Sequence, residues 1–224
     1  MREVGPDQVS DLIEADLGPG ARGYFTARGL RARPVVHGED ADAAVRGSDE
    51  ETGVYSGWNL ALHVGDDPQR VRAHRHRLEE LLGLEQGRHL AWMNQVHSAV
   101  VATAQAGDVP TADALVLDSR TGGASAGCCV LVADCVPILL ASRDGALTAA
   151  VHAGRRGMLD GIVPATIDVL QDAGVDPADL WAAVGPSICG SCYEVPDDMR
   201  ALSAQREPAC ASRTSWGTPG LDVA

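Results

Sequence analysis

Aromatic residues are scarce in this chain: they make up 4% of 224 residues, and Phe25 is the only phenylalanine. A core built without them is aliphatic, which suits β-branched strands packed against Ala- and Leu-rich helices. Long apolar runs are absent as well. No stretch reaches the roughly 18 residues that a membrane span needs. The opening Met1-Arg2-Glu3-Val4-Gly5-Pro6-Asp7 holds no hydrophobic signal segment, so the cytoplasm is the expected compartment. Positive charge is the third shortage, with 18 Lys and Arg against 31 Asp and Glu, a net −13 and a pI near 4.8. Such a surface repels phosphate polymers and argues against nucleic acid as a partner, although a local basic pocket can still take a small anion. The six cysteines sit in a chain that is neither short nor marked for secretion, so free thiols are expected rather than disulfides. There are no internal repeats.

A chain of 23.3 kDa is large enough to bury its own core. The expected organisation is an N-terminal extension over residues 1–22 and a single domain over 23–224. A short helix is expected at 7–17, a first strand at 23–26 and a surface loop over 38–57. Val71, Leu78, Leu81 and Leu82 then recur at helical spacing, with Asp67 and Pro68 as cap and first-turn residues, and His74 and His76 on the solvated face. From His89 onward the pattern turns to short apolar runs, read as strands at 90–93, 99–103, 114–117, 128–133, 137–141, 147–151 and 180–184. A helix at 157–173 contains Pro164, which should kink or split it. A last helix is read at 193–206, and no element is evident after Thr214. The sum is an α/β protein with a largely mixed sheet.

Three phrases concentrate the chemistry: Asn94-Gln95-Val96-His97, Ala133-Asp134-Cys135 and Val151-His152-Ala153-Gly154. Each lies where an apolar run begins or ends. Two imidazoles and a thiol that converge suit zinc and leave a fourth position open. Taken singly, a histidine or cysteine is more often structural, so the case rests on all three together. Asp134 adjoins the thiol; a bend before Pro137 would let it orient a histidine ring, whereas a straight strand would turn it to the opposite face. Gly154-Arg155-Arg156-Gly157, between a strand and a helix, offers backbone N–H groups and guanidinium for an anion such as phosphate. Cys189-Gly190-Ser191-Cys192 has C-x-x-C spacing but neither a following helix start nor a second pair, and reads as a tight loop lining a cleft.

These phrases have company. Asn59-Leu60-Ala61-Leu62-His63-Val64-Gly65-Asp66, Gln95-Val96-His97, Ala112-Asp113-Ala114-Leu115-Val116, Ala133-Asp134-Cys135-Val136-Pro137, His152-Ala153-Gly154, Gly185-Pro186-Ser187-Ile188 and Cys192-Tyr193-Glu194-Val195 follow in an order that resembles the YfiH-like family. That family is also called laccase-domain or multicopper polyphenol oxidase-like, and it includes peptidoglycan editing factor. The resemblance implies a four-layer α/β/β/α sandwich with mixed sheets. It implies zinc held by His97, Cys135 and His152. The implied function is a purine nucleoside phosphorylase with adenosine deaminase and methylthioadenosine phosphorylase activity, acting on purine nucleosides and phosphate as a monomer or small homo-oligomer. His63 and Asp134 become candidates for proton transfer, and Arg28, Asn59, Gln95, Arg156 and Tyr193 for substrate binding. The chain departs from the family pattern in places. Arg155 stands where a Trp follows H-A-G, Thr26-Ala27-Arg28-Gly29 is a remnant of a longer phrase, His74-Arg75 replaces Asn-Arg, and a C-terminal Cys-Thr phrase with a basic tail is expected but missing.

Three alternatives use the same residues differently. Cys135 activated by His152 would make a thiol hydrolase or amidase that edits peptidoglycan precursors. Copper-dependent phenol oxidation would need about ten histidines over several centres, and the chain has seven. A catalytically impaired member with a binding role is the third.

Overall fold

A computed structural model of the chain describes residues 12–27, 55, 57–105 and 107–223. Arg28, nearly all of the expected 38–57 loop and the start of the expected N-terminal helix lie outside them. The chain divides into two compact units, one of Met1–Ala15 with Tyr24–Leu84, the other of Asp16–Gly23 with Glu85–Ala224.

In the smaller unit, β1 (Leu12–Ala15) pairs with β2 (Gly23–Thr26). A helix had been expected over 7–17. Leu12-Ile13-Glu14-Ala15 is strand instead, because Gly18-Pro19-Gly20 turns the chain back before a helix can propagate. Helix α1 (Pro68–Leu81) begins as its sequence dictates. Asp67 is extended and its carboxylate accepts from the Gln69 N–H at 2.8 Å, with Pro68 in the first turn, where no N–H is needed. Val71 and Leu78 form its buried stripe. His74 departs from the solvated face assigned to it: its Nδ1 lies 2.9 Å from the Asn59 carbonyl, and Arg75 Nε donates to Leu60 O at 2.8 Å. The His-Arg pair stitches the preceding loop onto the helix. His76 does face solvent, beside Glu80.

The larger unit is built on a five-stranded sheet of order β4-β5-β8-β7-β9, made of β4 (Val101–Thr103), β5 (Ala114–Asp118), β7 (Val136–Ser142), β8 (Leu147–Ala153) and β9 (Leu180–Val184). β4 and β5 run parallel; the other pairs are antiparallel. Side chains alternate across it. Ala114, Val116, Val136, Leu140, Ala149 and Val151 pack under helices α2 (Arg155–Asp160) and α3 (Ile162–Asp172), against Ile162 and Leu170. Leu115 faces the other way, into a second cluster with Ala91, Met93 and Ala112. That cluster lies beneath a small parallel sheet of β3 (His89–Ala91) and β6 (Ser125–Cys128). Helices, large sheet and small sheet thus give the α/β/β order within this unit, and the chain is mixed α/β, as expected. Each fully buried Leu or Ile adds roughly 1.5–3 kcal/mol to this packing.

The expected break in one helix is present, and two other elements differ from expectation. The helix at 157–173 is split at Gly161, which places Pro164 in the first turn of α3 rather than in a helix interior. The apolar run 128–133 is strand only as far as Cys128; residues 129–135 are irregular. The C-terminal stretch closes as a hairpin of β10 (Ala211–Arg213) and β11 (Pro219–Leu221) after helix α4 (Asp197–Arg206). No helix among the described residues is long and apolar enough to cross a membrane.

Candidate metal centre

The triad assembles from three chain segments at one end of the large sheet. His152 is the penultimate residue of β8 and is buried. Cys135 directly precedes β7, half-buried, one step beyond the Val136–Ala153 pair and so opposite Gly154. His97 is exposed, in the loop after β3. One ligand atom from each lies within 4.8 Å of the others, the only such group of three or more His, Cys, Asp or Glu among the described residues. His97 Nε2 is 3.7 Å from Cys135 Sγ, and the two imidazole rings meet edge to face at 4.7 Å. Tetrahedral zinc, with bonds of about 2.0 Å to nitrogen and 2.3 Å to sulfur, places neighbouring donors about 3.3–3.6 Å apart. The donor chemistry and spacing therefore fit a three-ligand metal site.

Asp113 organises it. The carboxylate is fully buried and continues the β5–β8 register, facing His152, whose backbone N–H donates to the Asp113 carbonyl at 2.7 Å. Its Oδ1 receives His152 Nδ1 at 2.8 Å and the His97 N–H at 2.9 Å; its Oδ2 receives the Ser98 N–H at 2.6 Å and the Ser98 hydroxyl at 2.7 Å. The Val96 N–H is shared between both oxygens. A carboxylate only accepts, so Nδ1 of His152 carries the proton and Nε2 presents a lone pair. The same carboxylate holds His97 at φ 60°, a left-handed conformation disfavoured for a side-chain-bearing residue by about 1–2 kcal/mol. Burial pushes the Asp113 carboxyl up, but the bonds from His152, Ser98 and the loop backbone outweigh it and hold the group below the ordinary carboxylate value. Burial lowers His152, aided by nearby His97 and opposed by Asp113. Burial, then the charges of Asp134 and Asp113, pushes the Cys135 thiol up.

Gly154 explains the last letter of His152-Ala153-Gly154. A Cβ there would sit 2.8 Å from His97 Cδ2, 3.0 Å from Cys135 Sγ and 3.5 Å from His152 Nε2. The space a side chain would take is the space between the ligands.

The other sequence candidates are placed as follows. Asp134 is exposed beside Cys135, and its carbonyl accepts from the Ile188 N–H at 2.9 Å; the histidine-orienting carboxylate is Asp113 rather than Asp134. Gln95 pairs its amide with Leu131, Oε1 receiving the Leu131 N–H at 2.8 Å and Nε2 donating to the Leu131 carbonyl at 2.7 Å. Arg156 is exposed and faces Asp160 at 3.6 Å, while Arg155 turns toward Ser203. Tyr193 packs at the margin of the helix-side core. In the smaller unit His63 is exposed, and Asn59 is spent on its own loop, donating to Asp66 at 2.7 Å and accepting from the Ala61 N–H at 3.0 Å. Asp113 was missed as a site residue. Its signal was a lone carboxylate inside the apolar phrase Ala112-Asp113-Ala114-Leu115-Val116, where only a paired charge is tolerated.

Residues 43–224 match the family described as multi-copper polyphenol oxidoreductase laccase. A purine nucleoside phosphorylase of Streptomyces coelicolor is 49% identical over 173 residues, which cover 75% of this chain and 69% of that protein. Among solved structures, a Neisseria meningitidis protein of the DUF152 family aligns with a TM-score of 0.72 and 31% identity, covering 95% of this chain and 79% of that one. The hypothetical protein YfiH of Bacillus licheniformis aligns with a TM-score of 0.63 and 25% identity, over 75% and 67% of the two chains.

Proposed function

The chain belongs to the multi-copper polyphenol oxidoreductase laccase family, the YfiH-like family, and from that premise we propose that it is a zinc-dependent purine nucleoside phosphorylase. The observation that carries the reading is the convergence of His97, Cys135 and His152 within 4.8 Å, with His152 already oriented to offer Nε2. Zinc held by these three would supply a Lewis acid at the site. In phosphorolysis, phosphate bonds to the ribose anomeric carbon as the glycosidic C–N bond breaks, and the departing base takes up a proton. Asp134, exposed beside the triad, is our candidate for that proton transfer in the larger unit, with His63 the candidate in the smaller. Arg156, exposed at the start of α2, is the phosphate candidate; Arg28 and Tyr193 are the remaining substrate-binding candidates, Asn59 and Gln95 being engaged by hydrogen bonds within the protein. Adenosine deaminase and methylthioadenosine phosphorylase activities belong to the same proposal, as do a cytoplasmic setting and a monomer or small oligomer.

The thiol-hydrolase reading uses Cys135 as a free nucleophile. Burial and two neighbouring carboxylates push that thiol up, which favours the unreactive protonated form. A metal cation reverses this by binding the thiolate, so the metal reading suits the environment better. The family's description makes copper the rival ion, and metal analysis of the purified protein separates it from zinc. Purified chain with inosine should release hypoxanthine only when phosphate is present. Folded, zinc-loaded protein that releases none would overturn the proposal.

A further inference from the structure

The three ligands come from three segments, and nothing in chain connectivity alone fixes their spacing. Asp113 ties two of them together, accepting from His152 and from the loop that carries His97. The third, Cys135, directly precedes β7, whose pairing with β8 sets it opposite Gly154, but residues 129–134 before it are irregular and that ladder does not include the His97 loop. Gln95 bridges that gap. It stands two residues before His97, and its amide forms a two-bond pair with the backbone of Leu131, four residues before Cys135. A primary amide is the side-chain group that can donate to a peptide carbonyl and accept from the same residue's N–H at once. With both polar atoms engaged, it has no direct part in substrate recognition through those bonds.

We propose that Gln95 is a positioning residue: it clamps the Cys135 loop to the His97 loop, so the thiolate ligand is in register with the histidine pair before metal binds. The inference rests on the metal reading of the triad, not on the substrate. Asp113 fixes the histidines, and Gln95 adds a tether between the His97 loop and the stretch leading into Cys135, which β7 seats on the β8 side. The two roles are separable, because Gln95 makes no hydrogen bond to Asp113 among those described. The glutamine of the Gln95-Val96-His97 phrase then serves the metal centre through the backbone of another loop.

The test uses the Gln95→Leu variant of this chain, which keeps the bulk and removes both bonds, loaded with cobalt(II) as a spectroscopic substitute for zinc. The expected result is a variant with unchanged circular dichroism, at least tenfold weaker cobalt binding, and a weakened thiolate-to-cobalt charge-transfer band. Wild-type affinity with an unchanged charge-transfer band would overturn the proposal. A general loss of folding stability would not by itself weaken the sulfur signal selectively. Should the variant fail to fold, hydrogen exchange in the wild-type protein decides the matter: the Leu131 amide should be protected in the metal-free state, and free exchange there would refute the clamp. Wild-type protein that binds neither cobalt nor zinc would overturn the metal reading, whereas normal wild-type binding with an indifferent Gln95→Leu overturns the clamp alone.

Discussion

Replacing Gly154 by alanine adds one methyl group, and its effect follows from where that methyl would go. The backbone at Gly154 has φ −70° and ψ 161°, which any residue can adopt, so conformational strain is absent. On chain entropy alone the change would stabilise the fold by about 0.4–1 kcal/mol. The new carbon, however, would lie 2.8 Å from His97 Cδ2 and 3.0 Å from Cys135 Sγ. Carbon atoms settle at about 3.5–4.0 Å, so the His97 ring must retreat by roughly 0.7 Å. Metal–ligand distances tolerate deviations of only about 0.2 Å. The displacement exceeds that tolerance about threefold, while the atoms that must move are side chains at an open surface. Stability should therefore change by no more than about 1–2 kcal/mol, and zinc affinity should fall at least tenfold, about 1.4 kcal/mol. Urea denaturation of the metal-free proteins measures the first quantity, and competition with a chromophoric chelator the second. A Gly154→Ala protein that holds zinc as tightly as the wild type would refute the placement of the ligands around Gly154.

Two further outcomes follow from the polar network. Asp113→Ala leaves the Ser98, His97 and His152 donors without their buried acceptor, and should lower stability by about 3–5 kcal/mol in denaturant titration; a loss below about 1 kcal/mol would contradict the role assigned to it. Asp66 in the smaller unit is buried; burial pushes its carboxyl up, but bonds from Arg70, Asn59 and the Asp67 N–H outweigh this and hold it below the ordinary value. Folding thus favours the ionised form, so its contribution is complete above about pH 4 and is lost as pH falls through the lowered value. Asp66→Asn should be less stable than wild type by about 1–3 kcal/mol at pH 7, and the two should converge toward pH 2; a gap of constant size would contradict this.

The parts of the fold that could be read from the sequence are those set by local pattern. The β5, β7 and β8 runs announce themselves by apolar, β-branched composition, and α1 by its Asp67-Pro68 start and the Val71 and Leu78 stripe. The parts that escaped depend on distant partners. The run at 128–133 looks like strand, yet after Cys129, whose N–H still donates to the Ala91 carbonyl of β3, the Leu131 backbone bonds the Gln95 side chain instead of a strand. The terminal hairpin is held by contacts such as Asp222 N–H to Cys210 O and the Ser212 hydroxyl to Gly190 O, which no local period reveals. At the metal centre the ligand types were visible, but not what arranges them. The Asp113 carboxylate reads as an ordinary polar residue and the Gln95 amide as a substrate binder until the fold sets five donors on the first and Leu131 against the second.

A zinc site that serves phosphorolysis must show itself in one paired measurement. Metal content and phosphate-dependent release of hypoxanthine from inosine should be determined on the wild-type chain and on Cys135→Ala. The wild-type chain should carry about one zinc and turn over inosine only with phosphate, and the variant should lose both. A Cys135→Ala protein that retains stoichiometric zinc and full turnover would contradict this.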